Sequence, residues 1–328
     1  MARIHCLGGG LVGSFVTKEL LKSKHEIHLF DIEAIETKAI SHIGDAILAD
    51  HSDADLIINM LPGKFGHKAL NHLKHLNKKI LDLSFSEITP DSLTDVNATI
   101  LWDVGIAPGL SNMLVAKAAT QLKNLDEVTI KVGGNPQKPD DNWSYMAPFS
   151  PHDVIAEYTR PARIIRDGEI VVLPAISDLH SIEVDGNQMD AFLSDGLRSL
   201  LDIKCNTMGE YTVRWPGHIQ KYTASNLQPD DLVEQWQFNP NTPEFTWMEV
   251  QAKSADQKLT WIVRDGGKNG DSSMARTTGL VTVACALLWL ENPNMLMRGI
   301  HPPEDLPSHI IDQVITNLRE NSVSVKKI

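Results

Sequence analysis

Gly8, Gly10 and Gly13 stand near the start of the chain in the spacing G-x-G-x-x-G. An apolar run (Ile4, Cys6, Leu7) leads into them, and an amphipathic stretch follows. Asp31 closes a second apolar run (Ile27, Leu29, Phe30). Strand, glycine turn, helix, strand and acid in that order predict a dinucleotide-binding unit. Gly8 permits the tight turn, Gly10 lets a pyrophosphate approach the backbone, and Gly13 lets the helix pack close to the strand. The helix N-terminus, with Leu11 and Val12, would present free N–H groups and partial positive charge to phosphates. Asp31 would accept hydrogen bonds from the adenosine ribose. Ile32, Glu33 and Ala34 follow it, with no Arg to receive a 2′-phosphate, so the expected cofactor is NAD rather than NADP.

A parallel sheet must position these residues. Strands are expected near 3–7, 26–30, 46–49, 55–60, 79–83 and 99–102, with helices near 11–23, 64–74 and 110–122. In such sheets the ligand lies at the carboxyl ends of the strands. That singles out Asp31, Asp50, Leu61 and Pro62, Ser84, and the turn with Gly105 and Ala107. Met60-Leu61-Pro62-Gly63 could lie along the ribose or nicotinamide. Gly105-Ile106-Ala107-Pro108-Gly109 is a tight turn where the nicotinamide should sit.

Beyond residue 124 the pattern alternates, with Val128, Ile130 and Val132, an Asp167-Gly168 turn between Ile164-Ile165 and Ile170-Val171-Val172, and paired runs at 248–252 and 259–263. Asp-Gly between apolar runs signals a hairpin. Helical pattern returns at 274–290 and 307–320. The expected fold is α/β, a Rossmann doubly wound parallel sheet plus an α+β substrate domain with a mainly antiparallel sheet. The expected domains are 1–123 for the dinucleotide, with the 274–328 helices packing back on it, and 124–273 for substrate and dimerisation.

The chain has 328 residues, 42% of them hydrophobic, a formal net charge of −12 and a pI near 5.5. An acidic chain without a basic stripe argues against nucleic acid as a partner. Cys6, Cys205 and Cys285 are few and widely spaced, as in a reduced cytoplasmic protein rather than a disulfide set. With the first strand expected from about residue 2, no signal peptide is expected. The apolar stretch Leu280–Leu290 is shorter than the ~20 residues that span a bilayer and reads as a buried helix, so no membrane partner is expected. His67, His72 and His75 share one helix and read as a solvated face. The loop from Asp265 to Asp271 lacks the ligand spacing of a calcium loop, so no metal is expected.

Stretches along most of the chain resemble the saccharopine dehydrogenase-related family, and most closely its lysine 6-dehydrogenase branch. They are CLGGGLVGSFV, INMLPG, LDLSFSE, WDVGIAPGLSN, KVGGNP, FSPHDVIAEYTRPAR, DAFLSDGLRSLL, RWPGHIQK, DSSMARTTG and GIHPPE. The resemblance implies an N-terminal Rossmann domain, a substrate domain on a mixed sheet, and NAD(P)-linked oxidation of an amine on an amino acid. Saccharopine reductases carry an Asp in a GLDPG turn where this sequence has Ala107, and they are longer. Both departures turn the resemblance toward lysine 6-dehydrogenase.

Such a reaction needs charge anchors for the substrate and an acceptor for the amine proton. Arg grips a carboxylate bidentately, and Arg198 and Arg214 are the favoured anchors among Arg160, Arg163, Arg198, Arg214 and Arg276. Asp153, Glu157 and Asp195 are candidates for an ammonium. His218, with an unperturbed pKa near ~6.5, is the candidate proton acceptor. Tyr158 could place a hydroxyl near substrate, and Asp153 could share the catalytic role. The expected function is NAD-dependent oxidative deamination of L-lysine at the ε-carbon by a possible homodimer. The alternatives are a saccharopine- or carboxyspermidine-type reductive condensation and a non-catalytic NAD-binding sensor.

Overall fold

A computed structural model describes all residues, 1–328. The chain divides into two compact units, Met1–Leu110 with Thr278–Leu318, and Ser111–Thr277 with Arg319–Ile328. The strands first met along the chain are β1 (Arg3–Leu7), β2 (Glu26–Asp31), β3 (Ile40–Ile43), β4 (Leu56–Asn59), β5 (Lys79–Asp82) and β6 (Thr99–Trp102). Helices α1 (Leu11–Leu20) and α2 (Gly63–Leu73) lie between them. Then follow α3 (Leu110–Leu122), β7 (Leu125–Pro136), α4 (Pro151–Thr159), β8 (Ala162–Arg166), β9 (Glu169–Leu173), β10 (His180–Val184), β11 (Asn187–Leu193) and β12 (Cys205–Arg214). The rest are α5 (His218–Ala224), α6 (Pro229–Gln235), β13 (Glu244–Lys253), β14 (Lys258–Asp265), α7 (Ser273–Glu291), β15 (Gly299–His301), α8 (Ser308–Glu320) and β16 (Ser324–Lys327).

In the first unit the strands run β15-β6-β5-β4-β1-β2-β3, every neighbouring pair parallel. The order reverses between β1 and β4, so the doubly wound sheet expected from the sequence is present, with its ligand crevice at their carboxyl ends. Every residue of β4 is buried, as a strand covered on both faces must be. Leu7, Phe30, Ile57, Leu70, Ile80, Ile100 and Trp102 belong to one core cluster.

One strand lies elsewhere than expected. Residues 46–49 form a turn in the helix-free crossover from β3 to β4, and the third strand is Ile40–Ile43. Ala46 and Ile47 are buried by that crossover, which makes the apolar run. The true β3 is a mostly exposed edge strand and carries little apolar signal.

The second unit is built on a mixed sheet, β10-β11-β12-β7-β13-β14-β16, with the β8–β9 hairpin beside β12. Only the β7–β12 pair is parallel. The Asp167-Gly168 turn has φ of +54° and +78° and closes the β8–β9 hairpin as expected. α4, α5 and α6 share a core of Trp143, Tyr145, Tyr158, Phe192, Ile219, Leu232 and Trp236. The tail does not stay wholly with the helices at 274–320, because β16 pairs antiparallel with β14 and joins this sheet. α3 also counts with the second unit, from Ser111 onward.

α7 is 19 residues long and apolar enough by composition to cross a membrane, longer than the apolar stretch read from sequence. Its apolar window is 78% buried inside the protein, as in a core helix.

Candidate functional site

The glycines of the first unit do three different things. Gly8 has φ +95°, and a Cβ there would lie 3.0 Å from the Met60 carbonyl oxygen. A Cβ on Gly13 would lie 2.1 Å from the Gly8 carbonyl oxygen, so only glycine lets α1 approach β1. Gly10 is the opposite case, with nothing within 4 Å of a Cβ. Gly8 and Gly13 are therefore glycine because of the protein's own packing. At Gly10 the open space is on the outside, where a ligand backbone would come close.

Gly10 caps α1 with no side-chain hydrogen bond, and no acid occupies the first turn. The N–H groups of Leu11, Val12 and Gly13 are left to an outside acceptor. The donor set therefore fits a pyrophosphate. Asp31 closes β2 beside this turn. Its Oδ2 accepts the Gly9 N–H at 2.6 Å and its Oδ1 accepts the Glu33 N–H at 3.0 Å. A carboxylate has about four lone-pair positions, so two remain for ribose hydroxyls.

The ends of β4 and β5 carry a buried polar network. Asn59 Nδ2 donates to Asp82 Oδ1 at 2.6 Å, and Ser84 Oγ lies 2.9 Å from each Asp82 oxygen. Burial, with Asp103 nearby, pushes the Asp82 carboxyl up to about 7. Ser86 Oγ donates to the Gly63 carbonyl and accepts the His67 N–H, fastening the start of α2. Ser84, expected against the cofactor, is buried and bonded to Asp82. Asp50 follows a turn rather than the expected strand, and its Oδ1 accepts the Ser52 N–H. Leu61 and Pro62 are partly buried and exposed respectively, at the start of α2. Gly105 and Ala107 lie in a turn closed by Leu110 N–H to the Gly105 carbonyl at 2.9 Å, with Ala107-Pro108 cis.

The second unit gathers Tyr158, Arg214 and His218 into one buried hub, with the partly buried Glu157 at its side. Arg214 Nε donates to Tyr158 Oη at 2.8 Å, Nη2 to Glu157 Oε2 at 2.6 Å and to Tyr145 Oη at 3.3 Å, and Nη1 to the Val213 carbonyl at 3.0 Å. His218 Nδ1 lies 2.9 Å from the Trp143 carbonyl, which can only accept, so Nδ1 carries the proton. Nε2 then accepts the Tyr158 hydroxyl at 2.9 Å. Burial, with Arg214 close by, holds His218 down to about 3. Burial raises Tyr158 well above the usual phenol range. Burial also raises Glu157, against the pull of Arg214.

These contacts show what three of the expected site residues already hold. His218 uses both nitrogens inside the protein, Nδ1 on the Trp143 carbonyl and Nε2 on the Tyr158 hydroxyl. Arg214 spends most of its donors inside the protein and is the hub's centre rather than a free carboxylate clamp. Asp195 is held bidentately by Arg163, Oδ1 to Nε and Oδ2 to Nη2, each at 2.8 Å. It is not a bare acid waiting for an ammonium. Arg198 is buried in the same loop with φ +50°. Asp153 sits one turn before Glu157 on α4, and both are only partly buried.

Tyr145 and Trp143 were not legible as site residues. They sit in an irregular segment between β7 and α4 with no periodic pattern, and only their contacts with Arg214 and His218 mark them. Asn59 could have been found, as a polar residue ending a wholly apolar strand. The SMARTTG stretch is structural. Glu244 Oε1 accepts the Ser273 N–H at 2.6 Å, Arg276 Nε donates to Asp265 at 2.8 Å, and a Cβ on Gly279 would lie 2.4 Å from the Phe15 ring.

Residues 105–228 match the family model described as the saccharopine dehydrogenase C-terminal domain. The family resemblance carried by the motifs is thereby borne out. The domain contains every substrate-side candidate, from Asp153 to His218. In fold the whole chain is similar to apo saccharopine dehydrogenase (L-Glu forming) from Saccharomyces cerevisiae, at 14% identity and a TM-score of 0.77, covering 100% of this chain and 99% of that one. Weaker similarity extends to an engineered D-amino acid dehydrogenase bound to NADP+, at 11% identity, TM-score 0.48, covering 96% and 98% of the two chains. A C. glutamicum DAP dehydrogenase in complex with DAP is similar at 10% identity, TM-score 0.46, with the same shares covered.

Proposed function

We propose that the chain is an NAD-dependent dehydrogenase acting on the amine of an amino acid, with L-lysine oxidised at its ε-carbon as the leading substrate. The observation that carries this reading is the match of residues 105–228 to the saccharopine dehydrogenase C-terminal domain, in a chain that opens with a dinucleotide fingerprint. The open space at Gly10 and the bare N-terminus of α1 support the cofactor half. Asp31 supports NAD over NADP, because a 2′-phosphate would meet a carboxylate.

When bound, the nicotinamide supplies a two-electron acceptor for the hydride. The chain's residues bind, orient and handle the proton. Glu157 and Asp153 on α4 receive the substrate's ammonium groups, and Glu157 takes the amine proton in place of His218. Burial raises its carboxyl above the usual carboxylate range, which makes it a better base. Arg214 fixes Glu157, Tyr158 accepts from Arg214 and His218 accepts from Tyr158, so the three position Glu157 as a chain rather than touch the reacting atoms. Arg198 is the remaining candidate for the substrate carboxylate. The three free, buried cysteines support a reducing, cytoplasmic setting. A homodimer through the second unit's sheet is part of the same reading, and sedimentation showing only monomer would remove it.

Incubation with L-lysine and NAD, followed by NADH absorbance, tests the reading. Reduction with lysine alone supports it. Reaction only when a keto acid or aldehyde partner is supplied with reduced cofactor would replace it with reductive condensation. That alternative is favoured by the name of the family model. Cofactor binding with no turnover of any amino acid or polyamine would leave the sensor.

A further inference from the structure

Four histidines gather on one face of β1, β2 and β3, the face that the β3–β4 crossover covers. His5 on β1 meets His51 of the crossover, Nδ1 to Nδ1 at 2.9 Å. His28 on β2 meets His42 on β3, Nδ1 to Nε2 at 2.9 Å. Phe30 stacks on His42 at 4.3 Å and 8°, and lies 4.8 Å from both His5 and His51. The sequence reading used none of these residues.

Hydrogen bonds settle where the protons lie. His51 Nε2 is 2.8 Å from the Ala46 carbonyl, so it carries a hydrogen, and the neutral His51 ring must accept at Nδ1. His5 therefore donates from Nδ1, and its Nε2 is bare, without a hydrogen-bond partner and 3.4 Å from Asp53. A proton on His5 can go to Nε2 beside Asp53. A single proton leaves the pair bonded, because His5 can carry its hydrogen on Nε2 beside Asp53 and accept at Nδ1. A proton on each ring sets Nδ1–H against Nδ1–H and abolishes the bond that holds the crossover to β1. The charged groups around the cluster are Arg3 on β1, Glu26 on β2, and Asp50, Asp53 and Asp55 of the crossover. His72 of α2 adds a further titratable group. Arg3 pairs with Glu26 and Asp53, so it does not neutralise a charge on the histidines but adds to it.

We propose that this cluster is an acid-sensitive latch: protonation of the His5–His51 pair releases residues 44–55 from the sheet, while the strands beneath stay folded. Burial holds His5 down to about 4 and lowers His51 and His42 as well. A histidine lowered in the closed form favours closure above its free pKa of ~6.5 and loses that contribution as pH falls toward its closed value. Each proton taken up on opening makes opening about tenfold easier per pH unit within that window.

Hydrogen exchange on the full chain, compared as protection factors from about pH 7.5 to about pH 5, tests this without reference to catalysis. The expected result is a fall of about tenfold or more in residues 44–55, with β1 and β4 unchanged. In His51→Phe, which keeps the aromatic packing and loses the titration, the fall should disappear. A flat wild-type profile overturns the latch whether or not the variant folds. So does a loss spread evenly over the first unit, or a fall that persists in both His51→Phe and His5→Phe.

Discussion

Gly10 and Gly13 look equivalent in sequence and are opposite in the folded protein. A Cβ at Gly10 meets no protein atom, and its φ of −64° is open to any residue, so Gly10→Ala should fold with a Tm close to that of the parent. Its dinucleotide Kd, read by titration of intrinsic fluorescence, should rise at least tenfold. Gly13→Ala presses a methyl into the Gly8 carbonyl, and backbone cannot yield cheaply. It should cost about 2 kcal/mol or more in denaturant unfolding, as overpacking does. Arg214 is the matching case in the second unit. Arg214→Met leaves Glu157 and Tyr158 without their cationic partner and should cost about 3–5 kcal/mol. Because His218 is held near 3, the acid limb of a pH–rate profile should survive in His218→Gln. A limb that vanishes with His218 would restore it as the proton acceptor. The glycine turn and the place of Asp31 at the end of β2 were legible from residue type and spacing. The occupancy of Arg214, Asp195 and His218 was not, because each is paired with residues tens of positions away.

At the level of elements, strands with strong apolar pattern and Asp-Gly hairpin turns were readable, and the parallel order of the first sheet followed from alternation with helices. β3 was missed because an edge strand needs no apolar face, while the buried crossover after it imitates one. β16 was missed for a related reason, since four residues at an edge carry almost no periodic signal. The β4–β5 end network makes a prediction of its own. Asp82 holds its proton up to about 7 in the fold, against ~4 when unfolded. The folded form binds the extra proton between those values, so Asp82 lowers stability as pH rises through that range. Asp82→Asn should flatten this decline in urea unfolding and be the more stable form, relative to wild type, above about pH 7. If the two slopes coincide, Asp82 is ionised throughout.

For the whole molecule, the sequence divides its information unevenly. The first unit carries its signal in glycines whose place the backbone geometry enforces. The second carries its chemistry in side chains whose partners come from α4, β12, α5 and an irregular segment. Such a site is visible in sequence only as family resemblance, here the match over residues 105–228. The identity of the oxidised carbon is therefore the point on which the functional reading stands or falls. L-lysine bearing deuterium only at the ε-carbon should yield reduced NAD carrying that deuterium, read by mass spectrometry, while α-deuterated lysine should yield unlabelled NADH. Label arriving from the α-carbon, or no reduced nucleotide from either substrate, would contradict oxidation at the ε-amine.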